Sequence, residues 1–108
     1  MKILSRSDEI LLMAILRLKD NAYGVAIIKE VKKSTGRELR IGALWVTLDI
    51  LSKRGLIEKR MGDPIPQRGG RSKIYYNLTP NGLNELERIR DFQRELWKGI
   101  PEKIKDTS

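Results

Sequence analysis

The stretch LIEKRMGDPIPQRGGRSKIYYNL, Leu56 to Leu78, decides how this chain folds. Toward its end Ile74, Tyr76 and Leu78 alternate with Lys73, Tyr75 and Asn77, the period-two pattern of a strand with one covered face. LIEKRM at its start reads as a partner strand. Between them lies a long loop in which Gly69 and Gly70 sit between Arg68 and Arg71. Hairpins usually close in about two to five residues, so this tip is unusually long. A phosphate-cradling nucleotide loop follows a strand and opens a helix with its lysine in place; here a strand follows instead. A solvated basic tip with no partner is the bland alternative, and what precedes the hairpin decides against it.

Three helices precede it. Ser5 or Ser7 can cap the first, with Asp8 and Glu9 in its positive first turn. It runs to about Lys19, and its middle, ILLMAIL, is apolar almost all the way round: either the helix is central to the core or a second surface awaits another chain. After a break at Asp20-Asn21 the second helix carries Val25, Ile28 and Val31 along one side and ends at Gly36, a left-handed C-terminal residue. The third runs from about Ile41 to Arg54. It buries Leu44, Leu48 and Leu51 with Thr47 beside them, while Gly42, Ala43, Val46, Asp49, Ile50 and Lys53 point away and Trp45 lies on the boundary.

Composition narrows what such a domain can do. The 108 residues support one domain and carry a formal net charge of +8, which favours a polyanionic partner, nucleic acid before an anionic membrane. Cysteine and histidine are both absent, so disulfides, thiolate metal sites and the commonest general base are excluded; no catalytic residue, cofactor or metal is expected. The apolar run Ile10 to Leu16 is too short to span a bilayer and follows two acids, unlike a signal peptide, so the chain reads as cytoplasmic.

Thr79-Pro80 starts a last helix, a cap followed by proline in the first helical position. It extends to about Lys98 or Gly99, with Leu86, Ile89, Leu96, Trp97 and Ile100 in one stripe opposite a polar side of nearly balanced charge. Balanced charge counts against a membrane-surface helix. Residues 1–79 are expected to form the DNA-binding domain, 80–100 a dimerisation helix and 101–108 a flexible tail. The expected fold is mainly α (α+β): a winged helix-turn-helix of three helices, a two-stranded wing and a long C-terminal helix. In such a fold the third helix enters the major groove and the hairpin reaches the adjacent backbone.

The blocks GALWVTLDILSKRGLIEKR, Gly42 to Arg60, and GDPIPQRGGRSKIYYNLTPNG, Gly62 to Gly82, together with Ala22-Tyr23-Gly24, resemble the PadR-like family of bacterial transcriptional regulators over nearly the whole chain. The resemblance implies a homodimeric repressor bound to an inverted-repeat operator in double-stranded DNA. The DNA-facing positions it implies, with those on the outward side of helix three, are Tyr23, Arg40, Ala43, Trp45, Val46, Asp49, Lys53, Arg68, Gly69, Gly70, Arg71 and Lys73. A dimer through the first and last helices is expected to use Leu11, Ile15, Leu86, Ile89, Phe92, Gln93, Leu96, Trp97 and Ile100. Phe92 and Trp97 also suit stacking with a small hydrophobic or phenolic effector, although aromatics on such a helix more often simply fill an interface. The chain departs from the family pattern where Ile50 replaces an arginine and Trp45 a tyrosine, and Arg40 stands where a capping serine would sit. The other reading is a winged domain for protein–protein contact, which predicts negligible affinity for any duplex.

Overall fold

The computed structural model of the chain describes residues 4–64 and 72–101. Helix α1 spans Arg6–Leu18, a 3-10 turn Lys19–Asn21, α2 Gly24–Thr35, α3 Ile41–Lys53, β1 Ile57–Pro64, β2 Ser72–Leu78 and α4 Pro80–Trp97. The architecture is mainly helical with one antiparallel two-stranded sheet, the winged helix-turn-helix arrangement.

Each helix starts and stops where its end residues dictate. The Ser5 hydroxyl accepts from the Asp8 N–H at 3.1 Å, satisfying one of the first free donors of α1. The chain leaves α1 through Lys19, whose φ of 55° is one that a side chain rarely adopts. Gly36 closes α2 in the left-handed region at φ 76°, where a Cβ would be strained. Arg40 is the N-cap of α3 and makes no side-chain capping bond.

The core forms where the three helices meet. Leu12 and Ile15 of α1, Ile27 and Val31 of α2, and Leu44, Leu48 and Leu51 of α3 are its largest fully enclosed side chains. The α3 trio lies at i, i+4 and i+7, one face of the helix, as its spacing requires. On α2 Ile27 and Val31 are buried and Ile28 packs against the core, while Val25 is exposed, which corrects the expectation for Val25.

An isolated hairpin is marginal in water, so this one depends on what backs it. Tyr76 and Ile57 are buried, with Ile74 and Leu78 packed beside them. The Tyr76 N–H donates to the Ala22 carbonyl at 2.8 Å, and Tyr23 bridges Tyr75, so the link before α2 lies along the free edge of β2. The register pairs Ile57 with Leu78 and Met61 with Ile74, then becomes irregular before Pro64 meets Ser72. Strand β1 therefore runs past Met61, beyond the apolar pattern, because backbone pairing continues without apolar side chains.

At the far end of β2 a compact knot aims α4. The Thr79 hydroxyl donates to the Gly55 carbonyl at 2.6 Å and accepts from the Gly82 N–H at 3.1 Å, while the Thr79 N–H donates to the Leu56 carbonyl at 3.1 Å. Gly82 packs so closely that a Cβ would overlap the Leu56 carbonyl oxygen. Leu86 then enters the core and Ile89 packs against it. Beyond Ile89 every described residue is exposed except the half-buried Gln93.

Three residues expected between subunits are thereby reassigned. Leu11, Ile15 and Leu86 are enclosed within the chain's own core and offer no surface to a second copy. Met13 and Leu16 hold the outward side of α1 instead. The expected tail is described only at Pro101; residues 102–108 lie outside the described residues.

Candidate nucleic-acid interface

The start of α2, the outward side of α3 and the strand β2 converge on one groove of about 180 Å³. Gly24, Val25, Ile41, Trp45, Lys73 and Ile74 line it. A Cβ on Gly24 would lie 3.4 Å from the Trp45 indole, so the aromatic ring stands against the first turn of α2. Trp45 also leans toward Tyr76, with ring centroids 6.3 Å apart. Burial, with the Asp49 carboxylate as a lesser cause, raises the Tyr76 hydroxyl above its ordinary 10.0, and it stays protonated at neutral pH.

A ladder of rings and cations ties the wing to α2. The Arg60 guanidinium carbon lies 4.6 Å from the Tyr75 ring centroid; Tyr75 meets Tyr23 edge-on at 5.7 Å; the Lys73 ammonium lies 3.9 Å from the Tyr23 ring centroid. Such contacts contribute about 0.5–1.5 kcal/mol each beyond area burial. Arg60 also donates to the Asp20 carbonyl at 2.9 Å, spanning from β1 to the turn before α2. Gly62 permits the approach, since a Cβ there would come within 2.5 Å of the Tyr75 ring.

Several expected residues lie around this groove. Tyr23 is the N-cap of α2, Trp45 walls the groove, and Lys73 enters it from β2. Arg40, Ala43, Val46, Asp49 and Lys53 are exposed along α3 and at its start. Asp49 and Lys53 pair across one turn at 3.0 Å, an exposed ion pair of small energetic worth. Arg68, Gly69, Gly70 and Arg71 lie outside the described residues. Arg60 and Tyr75 were missed by sequence reasoning: they face each other only once the strand register is known, and a long tip leaves register open.

Other chemistry finds little support. Among the described residues no three His, Cys, Asp or Glu side chains are grouped to hold a metal ion. A concavity of about 740 Å³ among the described residues is an open trough between Arg54, Leu56 and the first turns of α4. It is lined by charges of both signs and lacks the apolar enclosure of a small-molecule site. No helix among the described residues is long and apolar enough to cross a membrane.

Comparison with known proteins gives the same picture. A family model described as "Transcriptional regulator PadR-like family" matches residues 11–88. A PadR family transcription regulator from Clostridium difficile R20291 is 30% identical, with a TM-score of 0.65 over 84% of this chain and 91% of that one. The H. salinarum protein RosR is 26% identical, with a TM-score of 0.65 over 93% of this chain and 81% of that one. A PadR-like regulator from Bacillus cereus, 21% identical over 85% and 84% of the two chains, has a TM-score of 0.69 and speaks to the fold alone. A comparison with curated proteins returns no match. Matched over most of its length, the chain belongs to the PadR-like family, whose members are DNA-binding transcriptional regulators and not enzymes.

Proposed function

We propose that this protein is a cytoplasmic homodimeric repressor that binds an inverted-repeat operator, with α3 in the major groove and the wing on the flanking backbone. Half-sites are centred about one helical turn, roughly 34 Å, apart. The observation that carries the reading is the convergence of Tyr23, Trp45 and Lys73 on one groove beside the exposed side of α3, in a chain of net charge +8. Lys73 and the wing arginines Arg68 and Arg71 neutralise phosphates, and Gly69 and Gly70 let the tip approach the duplex. Arg40 stands at the start of α3 without a capping bond, available to a phosphate.

The dimer draws support from an exposed apolar stripe that the described residues leave uncovered. Phe92 is 64% and Leu96 59% exposed, with Trp97, Ile100, Met13 and Leu16 exposed as well. Packed against the same stripe of a second copy, with α1 alongside, these residues leave water and set the spacing of the two DNA-binding units. Phe92 and Trp97 fill that interface, and their flat rings also suit stacking with a flat hydrophobic or phenolic effector between subunits.

Binding to a random duplex library, followed by affinity measured against salt, tests the reading. The expected result is recovery of an inverted repeat, with a log–log salt slope that Arg71→Ala flattens by about one unit. Recovery of no sequence, with negligible affinity at low salt, would instead favour a protein-binding module.

A further inference from the structure

The exposed side of α3 is short of the hydrogen-bond donors by which proteins ordinarily read bases. Val46 is 61% and Ile50 45% exposed, one turn apart on the outward side, with Ala43 exposed one turn before Val46. No arginine, asparagine or glutamine lies within α3. The Thr47 hydroxyl is committed to the Ala43 carbonyl at 3.1 Å, and the Lys53 ammonium lies in the last turn of α3, away from the N-terminal half that recognition helices present to the bases. Guanine is usually read by a bidentate arginine or lysine, and adenine by asparagine or glutamine. This surface suits neither. What remains on the major-groove edge is the C5 methyl of thymine, an apolar contact that valine and isoleucine match.

Resting on the DNA-binding reading above, we infer that Val46 and Ile50 are specificity-determining residues that read pyrimidine methyl groups, so thymines specify the core of each half-site. Four residues of helix rise span about 6 Å. Recognition-helix residues about one turn apart meet successive bases, so the two methyls belong to neighbouring base pairs. The flanking cations supply affinity to the phosphates, and the aliphatic pair supplies the sequence preference.

The test selects duplexes from two random libraries, one built with thymidine and one with deoxyuridine, which lacks only the methyl. The full-length protein should enrich thymines at neighbouring base pairs from the first library and lose that preference in the second. On the selected duplex, deoxyuridine at either position should weaken binding roughly three- to fivefold, the effect of one buried methyl-sized group. The double variant Val46→Ala, Ile50→Ala should bind the thymidine duplex as weakly as the wild type binds its doubly substituted counterpart, and should ignore the methyls. Both positions are exposed and alanine favours helix, so folding is not at issue. Equal wild-type affinity for the two duplexes, or a double variant that still senses the methyls, would overturn the inference while leaving DNA binding intact. Failure to bind any duplex would defeat the DNA-binding reading itself, and this inference with it.

Discussion

Cutting Tyr75 back to alanine removes the centre of the ladder that joins the wing to α2. Its ring meets Tyr23 edge-on at 5.7 Å and carries the Arg60 guanidinium at 4.6 Å. The edge-on pair contributes about 0.5–1.5 kcal/mol and the partly exposed cation–ring contact about 0.5–1. The wing's docked pose therefore loses about 1–2.5 kcal/mol. If DNA binding requires that pose, affinity falls by at most the same free energy, about five- to seventyfold. Tyr75 is uncharged, so the dependence on salt should not change. Lys73→Gln should behave in the opposite way, flattening the log–log salt slope by about one unit because one phosphate contact is lost. Tyr75→Phe keeps both ring contacts and should bind within about twofold of the wild type. Fluorescence anisotropy on one duplex across a salt series compares all four proteins, with melting curves to show that each is folded at the assay temperature. Wild-type affinity in Tyr75→Ala, or a slope reduced by a full unit, would refute the positioning role.

Three further perturbations test the scaffold. Gly82→Ala should destabilise the fold by about 2 kcal/mol, since the new Cβ meets the Leu56 carbonyl and forces α4 off the hydrogen bonds of Thr79, against a helix-propensity gain of about 1 kcal/mol. Chemical denaturation reads the sign, and a stabilised variant would contradict the packing. Lys19→Gly should raise stability by about 1 kcal/mol, because φ 55° strains a side-chain-bearing residue more than glycine's entropy costs; a lower midpoint at unchanged slope in the same assay would count against it. Leu96→Asp is repeated twice in a symmetric dimer, each copy losing about 1.5–3 kcal/mol of burial, so the dimer dissociation constant should rise about a hundredfold or more. Sedimentation equilibrium measures it, and an unchanged constant would remove α4 from the interface.

The parts of the fold legible in the sequence were those whose cause is local. Leu44, Leu48 and Leu51 declare the covered face of α3 by spacing, Gly36 ends α2 by its conformation, and Thr79-Pro80 starts α4 by its cap. Residues whose role depends on a distant neighbour were not. Leu11, Ile15 and Leu86 carry apolar periodicity, which says that they are covered but not by what; the cover is the same chain. Val25 and Ile27 both fit a short amphipathic pattern, and only the position of α2 chooses between them. The exposure of Trp45 and Val46 on the outward side of α3 followed from helical spacing. Arg60 and Tyr75 stayed hidden because their pairing follows from strand register, which the long tip does not fix. Gly62 and Gly82 owe their importance to close approach in space, which no local pattern announces.

The central claim is that two copies of this chain set α3 and the wing against one face of a duplex. Hydroxyl-radical footprinting of a selected duplex tests it most directly. Two symmetric patches of protection on the same face, centred about one helical turn apart, are expected. A single unpaired patch, or two patches on opposite faces, would contradict it.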